Sequence, residues 1–452
     1  MSLQNKIVIL GAGIAGISTA YHIQKAQPNR EVIIYEKTND WGGLCGGFFV
    51  SSHLGDFWFD NAVHLSFASE EYVQKIFHTS SKPIKHIPIC MNYSKGIWLK
   101  HPAQNNLFPL SIEEKVLALK DMIDNKNDRN GESINNFEQW LRAQYGDYFT
   151  ENFPMKYTRK YWTTEAKNLS TTWVGSRFYT PKLDEILQGA MSDNTPNTYY
   201  AQEMRYPKEG QYRSFFKSLA NQVNIAYNKE AIKIDTHNKV ITFSDNSTQS
   251  YTTLISTLPI PILVNMIEQT PKSILEDASY LKATSVGIVS LGFSRVNIPK
   301  NLWFYIYDED KLFARVYSPS LKSPANAPKG CSSLQAEIYF SEFKPLEKLT
   351  HNQKNIQKFC IEHVINSFVD MGICDKDDII CQDFRILPYG NVIFTHDMEK
   401  YRHRVLEYIK NEGIFSCGRF GEWDYLWSNQ SFMSGKKITD QITKTLFNTK
   451  IS

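Results

Sequence analysis

The sequence lacks the features that mark several common classes of protein. Its 452 residues include seven cysteines, an odd number without a CxxC pair, and this spacing predicts reduced thiols and no metal site. Lysine and arginine total 50 against 47 aspartates and glutamates, so the basic excess typical of nucleic-acid binders is missing. No run of about 18 apolar residues suggests a membrane span, and no secretory signal is recognisable. These absences predict a cytoplasmic protein without a nucleic-acid partner.

Length and composition favour a folded protein of several domains. Hydrophobic residues make up 42% of the chain, which is ample for a packed core. At roughly 100–200 residues per domain, the length corresponds to two or three domains. Aromatic residues reach 13%, a content that suits a ligand cleft and a hydrophobic core equally well.

The N-terminus has the order of elements expected of a dinucleotide-binding unit. The apolar run Lys6–Leu10 (KIVIL) predicts a buried parallel strand, and the residues after it predict a helix over 17–25. A second strand is predicted at Glu31–Tyr35 (EVIIY), directly before an acidic residue. Strand, glycines, helix, strand and acid follow one another within about 30 residues, which is far more specific than a glycine motif alone.

The glycines and the acid have separate physical roles in such a unit. Gly11 permits the tight turn, Gly13 lets the backbone approach a pyrophosphate, and Gly16 allows the helix to pack closely on the strand. The helix N-terminus offers its N–H groups to the phosphates. Glu36 stands about twenty residues later, where a carboxylate accepts the ribose hydroxyls and disfavours the 2′-phosphate of NADP.

The segment after Glu36 favours FAD over NAD. It reads Lys37-Thr-Asn-Asp40-Trp-Gly42-Gly43-Leu44, and a glycine pair at this place suits a loop folded back onto the diphosphate. The extended GxGxxG…E…GG pattern resembles the FAD fingerprint of proteins related to amine oxidases.

Two later stretches are predicted to return to the FAD-binding domain. The first contains strands over residues 231–234, 240–243 and 253–257. The second is a short strand at 413–418, followed by an aromatic loop and a helix over 431–447 whose N-terminus would face the flavin pyrimidine edge. We therefore predict a discontinuous FAD-binding domain formed by residues 1–85, 200–284 and 386–452.

The two remaining stretches are predicted to be substrate domains of different composition. Residues 86–199 have helical patterning at 112–123, 134–145 and 162–177. Residues 285–385 predict strands at 286–293, 303–307, 314–317 and 334–340, and a helix at 352–368. The predicted fold class is α/β, a Rossmann-type FAD-binding domain with a helical insert and an antiparallel β-sheet substrate domain.

Several short motifs together resemble the UDP-galactopyranose mutase family, in its eukaryotic-type branch, within the FAD superfamily of amine oxidases and protoporphyrinogen oxidases. The resemblance spans nearly the whole chain. Its motifs are His64-Leu-Ser-Phe67, His101-Pro-Ala-Gln104-Asn105-Asn106, Trp173-Val-Gly-Ser-Arg177, Trp303-Phe-Tyr305, Arg315, Pro388-Tyr389-Gly390, Gly418-Arg-Phe-Gly421-Glu-Trp423-Asp-Tyr425 and Asn429. The family's glycine pair before the histidine is replaced here by Ala62-Val63, a stiffer segment.

The resemblance implies an isomerase that uses FAD without net redox turnover. In this family the N5 atom of reduced flavin attacks the anomeric carbon of the sugar and expels UDP, and the ring recloses as a furanose. The implied substrate is a UDP-sugar or another nucleotide sugar, and the implied role is polysaccharide biosynthesis. A reductant such as NAD(P)H or a reductase is also implied, whereas the oligomeric state stays open.

The resemblance also implies roles for individual residues. Arg177 and Arg315 would clamp the diphosphate, because a guanidinium presents a planar fork to phosphate oxygens. The hydrogen-bonding partners of the diphosphate would be Tyr305, Tyr389, Tyr425 and Asn429. The nucleotide would contact Gln104, Asn105 and Asn106, with Tyr157 or Phe108 as stacking partners. The FAD-binding residues would be Gly11, Gly13, Ile14, Ala15, Gly16, Glu36, Lys37, Gly42, Gly43, Leu44, His64, Gly418, Arg419, Asn429, Gln430 and Ser431.

Two alternatives remain at this point. An FAD-dependent oxidase or desaturase of the amine-oxidase type shares the fingerprint and the terminal helix, and would be bleached by its substrate and release peroxide in air. A flavoprotein that senses nucleotide sugars without catalysis would bind the ligand and form no product.

Overall fold

The computed structural model describes residues 6–87, 89–128, 133–175, 179–197 and 203–448. In chain order the strands are β1 (Lys6–Leu10), β2 (Glu31–Tyr35), β3 (Gly47–Ser52), β4 (Gly55–Asp60), β5 (Pro83–His86), β6 (Cys90–Ser94), β7 (Ile97–Lys100), β8 (Met204–Pro207), β9 (Ile225–Ala226), β10 (Ala231–Asp235), β11 (Val240–Phe243), β12 (Thr248–Ser250), β13 (Thr253–Ser256), β14 (Ser285–Phe293), β15 (Trp303–Ile306), β16 (Arg315–Tyr317), β17 (Ser332–Phe340), β18 (Ile379–Leu387) and β19 (Ile414–Ser416).

The helices alternate with these strands along much of the chain. They are α1 (Ile14–Ala26), α2 (Glu71–Ser80), α3 (Ile112–Asp128), α4 (Phe137–Asn152), α5 (Pro154–Tyr161), α6 (Leu183–Met191), α7 (Lys217–Ala220), α8 (Ile260–Met266), α9 (Lys272–Ser279), α10 (Pro319–Lys322), α11 (Leu346–Leu349), α12 (Ile356–Asp370), α13 (Met398–Asn411) and α14 (Ser428–Asn448). None of these described helices combines the length and the apolar character that crossing a bilayer requires.

A parallel sheet forms the part of the molecule that is predicted to bind a dinucleotide, called the nucleotide-binding part below. Its strand order is β19-β13-β1-β2-β9, so the N-terminus, the middle and the C-terminus of the chain all contribute strands. β1 lies near its centre and is almost wholly buried, which explains its continuous apolar sequence. The terminal helix α14 packs along α1. The predicted Rossmann-type α/β unit is therefore confirmed.

The observed starts of two helices differ from the predicted ones. α1 begins at Ile14 rather than at residue 17, and α14 begins at Ser428 rather than at 431. In α1 the reason is Gly16, which lies within the first turn, where a Cβ atom would come 2.1 Å from the carbonyl oxygen of Gly11. The glycine therefore serves close packing inside the helix and does not delay its start.

A second sheet carries the candidate ligand-facing residues. Its order is β18-β14-β17-β16-β15-β6-β7, and all pairs are antiparallel except that of β15 with β6. The predicted antiparallel sheet is therefore confirmed. The hairpin of β6 and β7 extends this sheet, although residues 86–199 were predicted to be helical. These strands have only five and four residues, too few for a clear periodicity.

The predicted helix over residues 162–177 is wrong for the part that the structure describes. The chain leaves α5 at Trp162, and Thr163 then adopts a φ of +61°. The carbonyl of Leu169 accepts a hydrogen bond from the N–H of Phe137 at 2.9 Å, and the N–H of Ser170 donates to the carbonyl of Phe394 at 2.8 Å. Between these long-range bonds the segment forms only a 3-10 turn at Ala166–Asn168 rather than a continuous α-helix.

Candidate functional site

In the glycine loop after β1, Gly11 and Gly16 are tightly packed against other residues, whereas Gly13 has open space beside it. A Cβ atom on Gly11, whose φ is +98°, would come 2.4 Å from the hydroxyl of Thr257. Gly16 lies similarly close to the backbone of Gly11. A Cβ on Gly13 would meet nothing within 4 Å, and Gly13 is the N-cap of α1. The open face therefore lies where a helix N-terminus attracts phosphate.

The loop that carries the glycine pair lies against this open face. The N–H of Gly42 donates to the carbonyl of Ala12 at 2.9 Å, and Gly42 forms a bridge with Gly13. Gly43 is so close to Gly13 that a Cβ atom added to Gly43 would lie 3.4 Å from the Cα atom of Gly13. Glu36, at the end of β2, accepts a hydrogen bond from the N–H of Ala12 at 2.9 Å. Leu44 follows within a 3-10 turn, whereas Lys37 is exposed.

The C-terminal segment closes on the same helix start. Gly418 has a φ of +84°, and a Cβ there would lie 2.7 Å from that of Ala15, the neighbour of Ile14 in the first turn of α1. The N–H of Gly418 donates to the hydroxyl of Ser434 at 2.8 Å, which joins the loop to α14. The structure thus brings residues of the predicted FAD site from both ends of the chain together.

Of the buried polar atoms that have no hydrogen-bond partner within the described part of the chain, two belong to predicted FAD-binding residues of this C-terminal segment. They are Nε of Arg419 and Oδ1 of Asn429. A buried unpaired polar atom is costly, and a flavin ring with its several donors and acceptors is a group that would satisfy both. Together with the open face of Gly13, these atoms show that the residues present fit an FAD molecule.

The start of α14 is held by its own side chains. Gln430 accepts a hydrogen bond from the N–H of Trp427 at 2.8 Å, and the N–H of Ser431 donates to the carbonyl of Trp427. The amide of Asn429 donates to both carboxylate oxygens of Glu70, at 3.1 and 3.0 Å. These hydrogen bonds fix the orientation of Asn429 and Gln430 at the helix N-terminus.

His64 lies between the nucleotide-binding part and the second sheet. Its Nδ1 is 3.0 Å from the carbonyl of Ala62, and its ring centroid is 5.0 Å from that of Tyr212. Burial lowers the pKa of His64 to about 4. The N–H of Val63 donates to the carboxylate of Glu337 at 3.0 Å, so the second sheet directly holds the segment before the histidine. His64 therefore presents a neutral imidazole at pH 7.

The strand register brings the predicted arginine and tyrosine side by side. Tyr305 on β15 is paired with Arg315 on β16, and Arg315 is paired with Glu337 on β17. Paired residues of antiparallel strands project from the same face. The Nε of Arg315 donates to the fully buried carboxylate of Glu337 at 2.7 Å, and its Nη2 donates to the hydroxyl of Tyr339 at 3.0 Å.

The charge of Arg315 is secured by its partner. Burial alone would lower the pKa of this guanidinium, but the carboxylate of Glu337 outweighs burial, and the pKa lies well above its usual value. The hydroxyl of Tyr339 also donates to Glu337, at 2.8 Å. Arg315 is therefore a permanently charged group in a fixed orientation, which suits recognition of an anion.

A group of phenols surrounds Arg315, and we call Tyr157, Tyr161, Tyr305 and Tyr425 the tyrosine cluster. The ring of Tyr157 lies edge-on to that of Tyr305 at 5.5 Å and is stacked on that of Tyr161 at 5.3 Å. The guanidinium carbon of Arg315 is 5.7 Å from the ring centre of Tyr161. The hydroxyls of Tyr161 and Tyr425 are 3.0 Å apart.

Arg419 connects the tyrosine cluster to the glycine loop. It directly follows Gly418, and its guanidinium carbon lies 4.6 Å from the ring centre of Tyr425. Its Nη2 donates to Oδ1 of Asn391 at 2.7 Å, and its Nη1 donates to the carbonyl of Leu426 at 2.8 Å. A ligand against the tyrosine cluster would therefore lie beside a flavin held by the glycine loop.

The ring contacts of Tyr389, another predicted partner of the diphosphate, are with residues outside the tyrosine cluster. The ring of Tyr389 packs against Phe420 at 5.4 Å and Trp423 at 6.3 Å, and burial raises its pKa. Arg177 lies outside the described residues, so its predicted role as the second diphosphate clamp stays a prediction.

The segment predicted to contact the nucleotide begins with His101, whose ring packs against that of Tyr305 with 4.9 Å between the ring centroids. Gln104 donates to the carbonyl of Tyr179 at 3.3 Å. The side chains of Asn105 and Asn106 are buried, and that of Asn106 donates to the carbonyl of Pro102 at 2.8 Å. Phe108 is 43% exposed, with the amine of Lys115 5.3 Å from its ring centre.

The residues of this centre that sequence reasoning missed include Tyr161, Glu337, Tyr339 and Asn391. A signal was present for Glu337, because it is a carboxylate within an otherwise buried strand, SSLQAEIYF, and a buried charge requires a partner. Tyr161 follows Tyr157 by one helical turn, a spacing that places both on one face of a helix. Asn391 carried no local signal.

The fold and the site define a flavin enzyme built on a nucleotide-binding α/β unit. The family model of the flavin-containing amine oxidoreductases matches residues 14–364, which is most of the chain. The chain belongs to this family.

Solved structures with the same fold include enzymes of several activities. Reduced UDP-galactopyranose mutase superposes with a TM-score of 0.88 at 23% identity, over 98% of this chain and 96% of that one. An Exiguobacterium sp. 255-15 protein assigned as a protoporphyrinogen oxidase superposes with a TM-score of 0.73 at 15% identity, over 98% of this chain and 100% of that one. A fatty acid isomerase from P. acnes that produces CLA superposes with a TM-score of 0.62 at 14% identity, over 98% of this chain and 99% of that one. At these identities the likeness shows the fold.

Proposed function

We propose that the protein is an FAD-dependent nucleotide-sugar mutase that interconverts the pyranose and furanose forms of a UDP-sugar such as UDP-galactose. The observation that carries this proposal is the position of Arg315 and the tyrosine cluster beside Arg419, next to the residues that fit FAD. The structural likeness to reduced UDP-galactopyranose mutase supports it. Product of this kind would serve the synthesis of surface polysaccharides.

The chemistry of the residues fits a diphosphate better than an amine. Arg315 is paired with Glu337, and Arg419 bonds to the neutral groups of Asn391 and Leu426, so these two cations face one carboxylate and would repel the positive charge of an amine substrate. The phenols of Tyr305 and Tyr425 add neutral hydrogen-bond donors without adding charge. Arg177, by its place in the motif, would supply a second cation.

Each group has a stated task in the proposed reaction. A reduced flavin supplies the nucleophile for the anomeric carbon of the sugar. Arg315 binds the diphosphate while it is detached from the sugar and keeps it within the site. Tyr305 and Tyr425 orient its oxygens. Because its Nδ1–H faces the carbonyl of Ala62, His64, neutral at pH 7, offers Nε2 as a hydrogen-bond acceptor at the flavin and adds no charge there. NAD(P)H or a reductase would reduce the flavin.

The proposal is tested by product formation. The purified holoenzyme is incubated with UDP-galactopyranose and related nucleotide sugars, with and without dithionite, and furanose products are separated by chromatography. We expect turnover only with reduced flavin and no stoichiometric consumption of reductant. Turnover with fully oxidised flavin would refute the proposal. Bleaching of oxidised flavin by a substrate, with release of peroxide, would instead identify an oxidase.

A matched pair of variants checks the role of the arginine. Arg315→Lys keeps the charge but loses the planar fork, and we expect it to weaken UDP binding by roughly tenfold or more. The control is Arg385→Lys, since Arg385 is 43% exposed and pairs with the neighbouring Asp383. Equal UDP affinity in both variants would remove Arg315 from the ligand site.

A further inference from the structure

We propose that Tyr161 is a positioning residue that makes Tyr425 a hydrogen-bond donor toward a phosphate oxygen of the ligand. The inference rests on the proposed function and adds to it a residue that no motif indicated. Tyr161 ends α5 and is 7% exposed, whereas Tyr425 lies in the loop between Gly418 and α14 and is half-buried. The two are 264 positions apart in sequence, and their hydroxyls meet at 3.0 Å.

The position of the Tyr161 proton follows from its surroundings. Two oxygens lie within reach of this hydroxyl, that of Tyr425 at 3.0 Å and Oδ1 of Asn391 at 3.3 Å. The atom of Asn391 is identified as the oxygen because the guanidinium of Arg419, which can only donate, lies 2.7 Å away. An O–H···O bond usually spans about 2.5–3.0 Å. The contact with Tyr425 falls within this range and the contact with Asn391 lies beyond it, so Tyr425 is the better acceptor of the two.

The direction of this bond decides what Tyr425 offers to a ligand. A phenol has one proton, and diphosphate oxygens only accept hydrogen bonds. Tyr425 must therefore donate outward when a diphosphate binds, and its own oxygen then accepts the proton of Tyr161. A hydrogen bond received by a donor polarises it and strengthens the bond that it gives. Burial raises the pKa of Tyr161, which keeps this proton in place at neutral pH.

Packing accounts for the ring of Tyr161 but leaves its hydroxyl unexplained. The ring lies 5.3 Å from that of Tyr157, 4.6 Å from that of Tyr339 and 5.7 Å from the guanidinium carbon of Arg315. A phenylalanine would make the same contacts at lower cost, because burying a hydroxyl requires a partner. Tyr161→Phe therefore removes the proposed function of the side chain and retains its structural role.

A double-mutant cycle on the holoenzyme tests the proposal. UDP affinity is measured by calorimetry for the wild type, Tyr161→Phe, Tyr425→Phe and the double variant. We expect Tyr161→Phe to weaken UDP binding about five- to tenfold, as the loss of one hydrogen bond predicts. The double variant should bind as Tyr425→Phe does, because the hydroxyl of Tyr161 acts only through Tyr425. Binding of uridine, which has no phosphate, should be unchanged by Tyr161→Phe.

A matched control is Tyr408→Phe, which removes a hydroxyl bonded to Thr270 at 3.2 Å outside the site. It should leave UDP affinity unchanged. Unchanged UDP binding in Tyr161→Phe, additive effects in the cycle, or an equal loss in the control would each overturn the inference while leaving the proposed function standing. A wild type that binds no UDP at all would overturn the proposed function, and the inference would fail with it.

Discussion

The Arg315–Glu337 pair allows a quantitative prediction about stability. Glu337 is fully buried and accepts three hydrogen bonds, from Arg315 at 2.7 Å, from the hydroxyl of Tyr339 at 2.8 Å and from the N–H of Val63 at 3.0 Å. Glu337→Gln has nearly the same shape. It removes the negative charge and turns one acceptor oxygen into an NH2 group that faces a donor.

The expected loss follows from two contributions. Removing one member of a buried ion pair costs about 3–5 kcal/mol, because the other charge stays behind without compensation. The side chain of Arg315 is 20% exposed, so solvent screens part of its charge and the lower end of this range applies. A donor facing another donor adds about 1 kcal/mol. We therefore expect the free energy of unfolding to fall by about 3–4 kcal/mol at pH 7.

Urea unfolding followed by tryptophan fluorescence measures this change. The matched control is Glu342→Gln, whose carboxylate pairs with Lys282 at 2.7 Å but is 54% exposed. Exposed pairs contribute about 0–1 kcal/mol, so this variant should unfold nearly as the wild type does. A loss below about 1 kcal/mol for Glu337→Gln, or equal losses for both variants, would show that Glu337 does not hold the charge of Arg315 in the way argued.

Three further predictions concern the cofactor loop, acid sensitivity and a second buried pair. Gly13→Ala should lower the flavin content, measured as the ratio of absorbance at about 450 nm to that at 280 nm, and should leave the unfolding of the apoprotein unchanged. Gly16→Ala should instead destabilise the apoprotein. A stable apoprotein with Gly16→Ala and a destabilised one with Gly13→Ala would contradict the packing argument. Burial lowers the pKa of His101 to about 3, so this imidazole takes up a proton only in the unfolded state as the pH falls below 6.5. The resulting loss of stability steepens from about 0.7 kcal/mol per pH unit at pH 6.5 to about 1.4 kcal/mol per pH unit near pH 5. His101→Gln should show a shallower fall between pH 6.5 and 5, and an identical pH profile would refute this cause. The side chains of Lys322 and Asp60 are fully buried, and their charged atoms are 2.7 Å apart. Lys322→Met should therefore lower the free energy of unfolding in urea by about 3–5 kcal/mol, and adding Asp60→Asn should restore part of this loss. A further, additive loss in the double variant would contradict the pairing.

The nucleotide-binding part was predictable because its signals are local. A short apolar run, three spaced glycines and an acid at the end of the next strand each specify a backbone conformation within a few residues of themselves. β1 and β2 accordingly have the predicted bounds. The start of α1 was predicted three residues too late because the helix was begun after Gly16, whereas this glycine lies within its first turn.

The ligand-facing part was predictable only where a motif carried the information. Resemblance pointed to Arg315 and Tyr305, and the register of β15 with β16 explains why they lie side by side. The predicted helix over 162–177 failed because helical spacing of apolar residues also arises when aromatic side chains pack on several distant segments. The ring centroids of Trp162 and Trp173 are 4.6 Å apart in such a non-helical arrangement.

The amino-acid sequence by itself determined the parallel sheet with its glycine loop and acid, and through them the class of cofactor, because backbone conformation follows from neighbouring residues. Only the tertiary structure decided which side chains meet. Glu337 was matched to Arg315 by strand pairing, and Tyr161 was brought to Tyr425 across 264 positions by the packing of α5 against the C-terminal loop. Such contacts depend on how separate sheets and helices pack, and no short stretch of sequence encodes that distance.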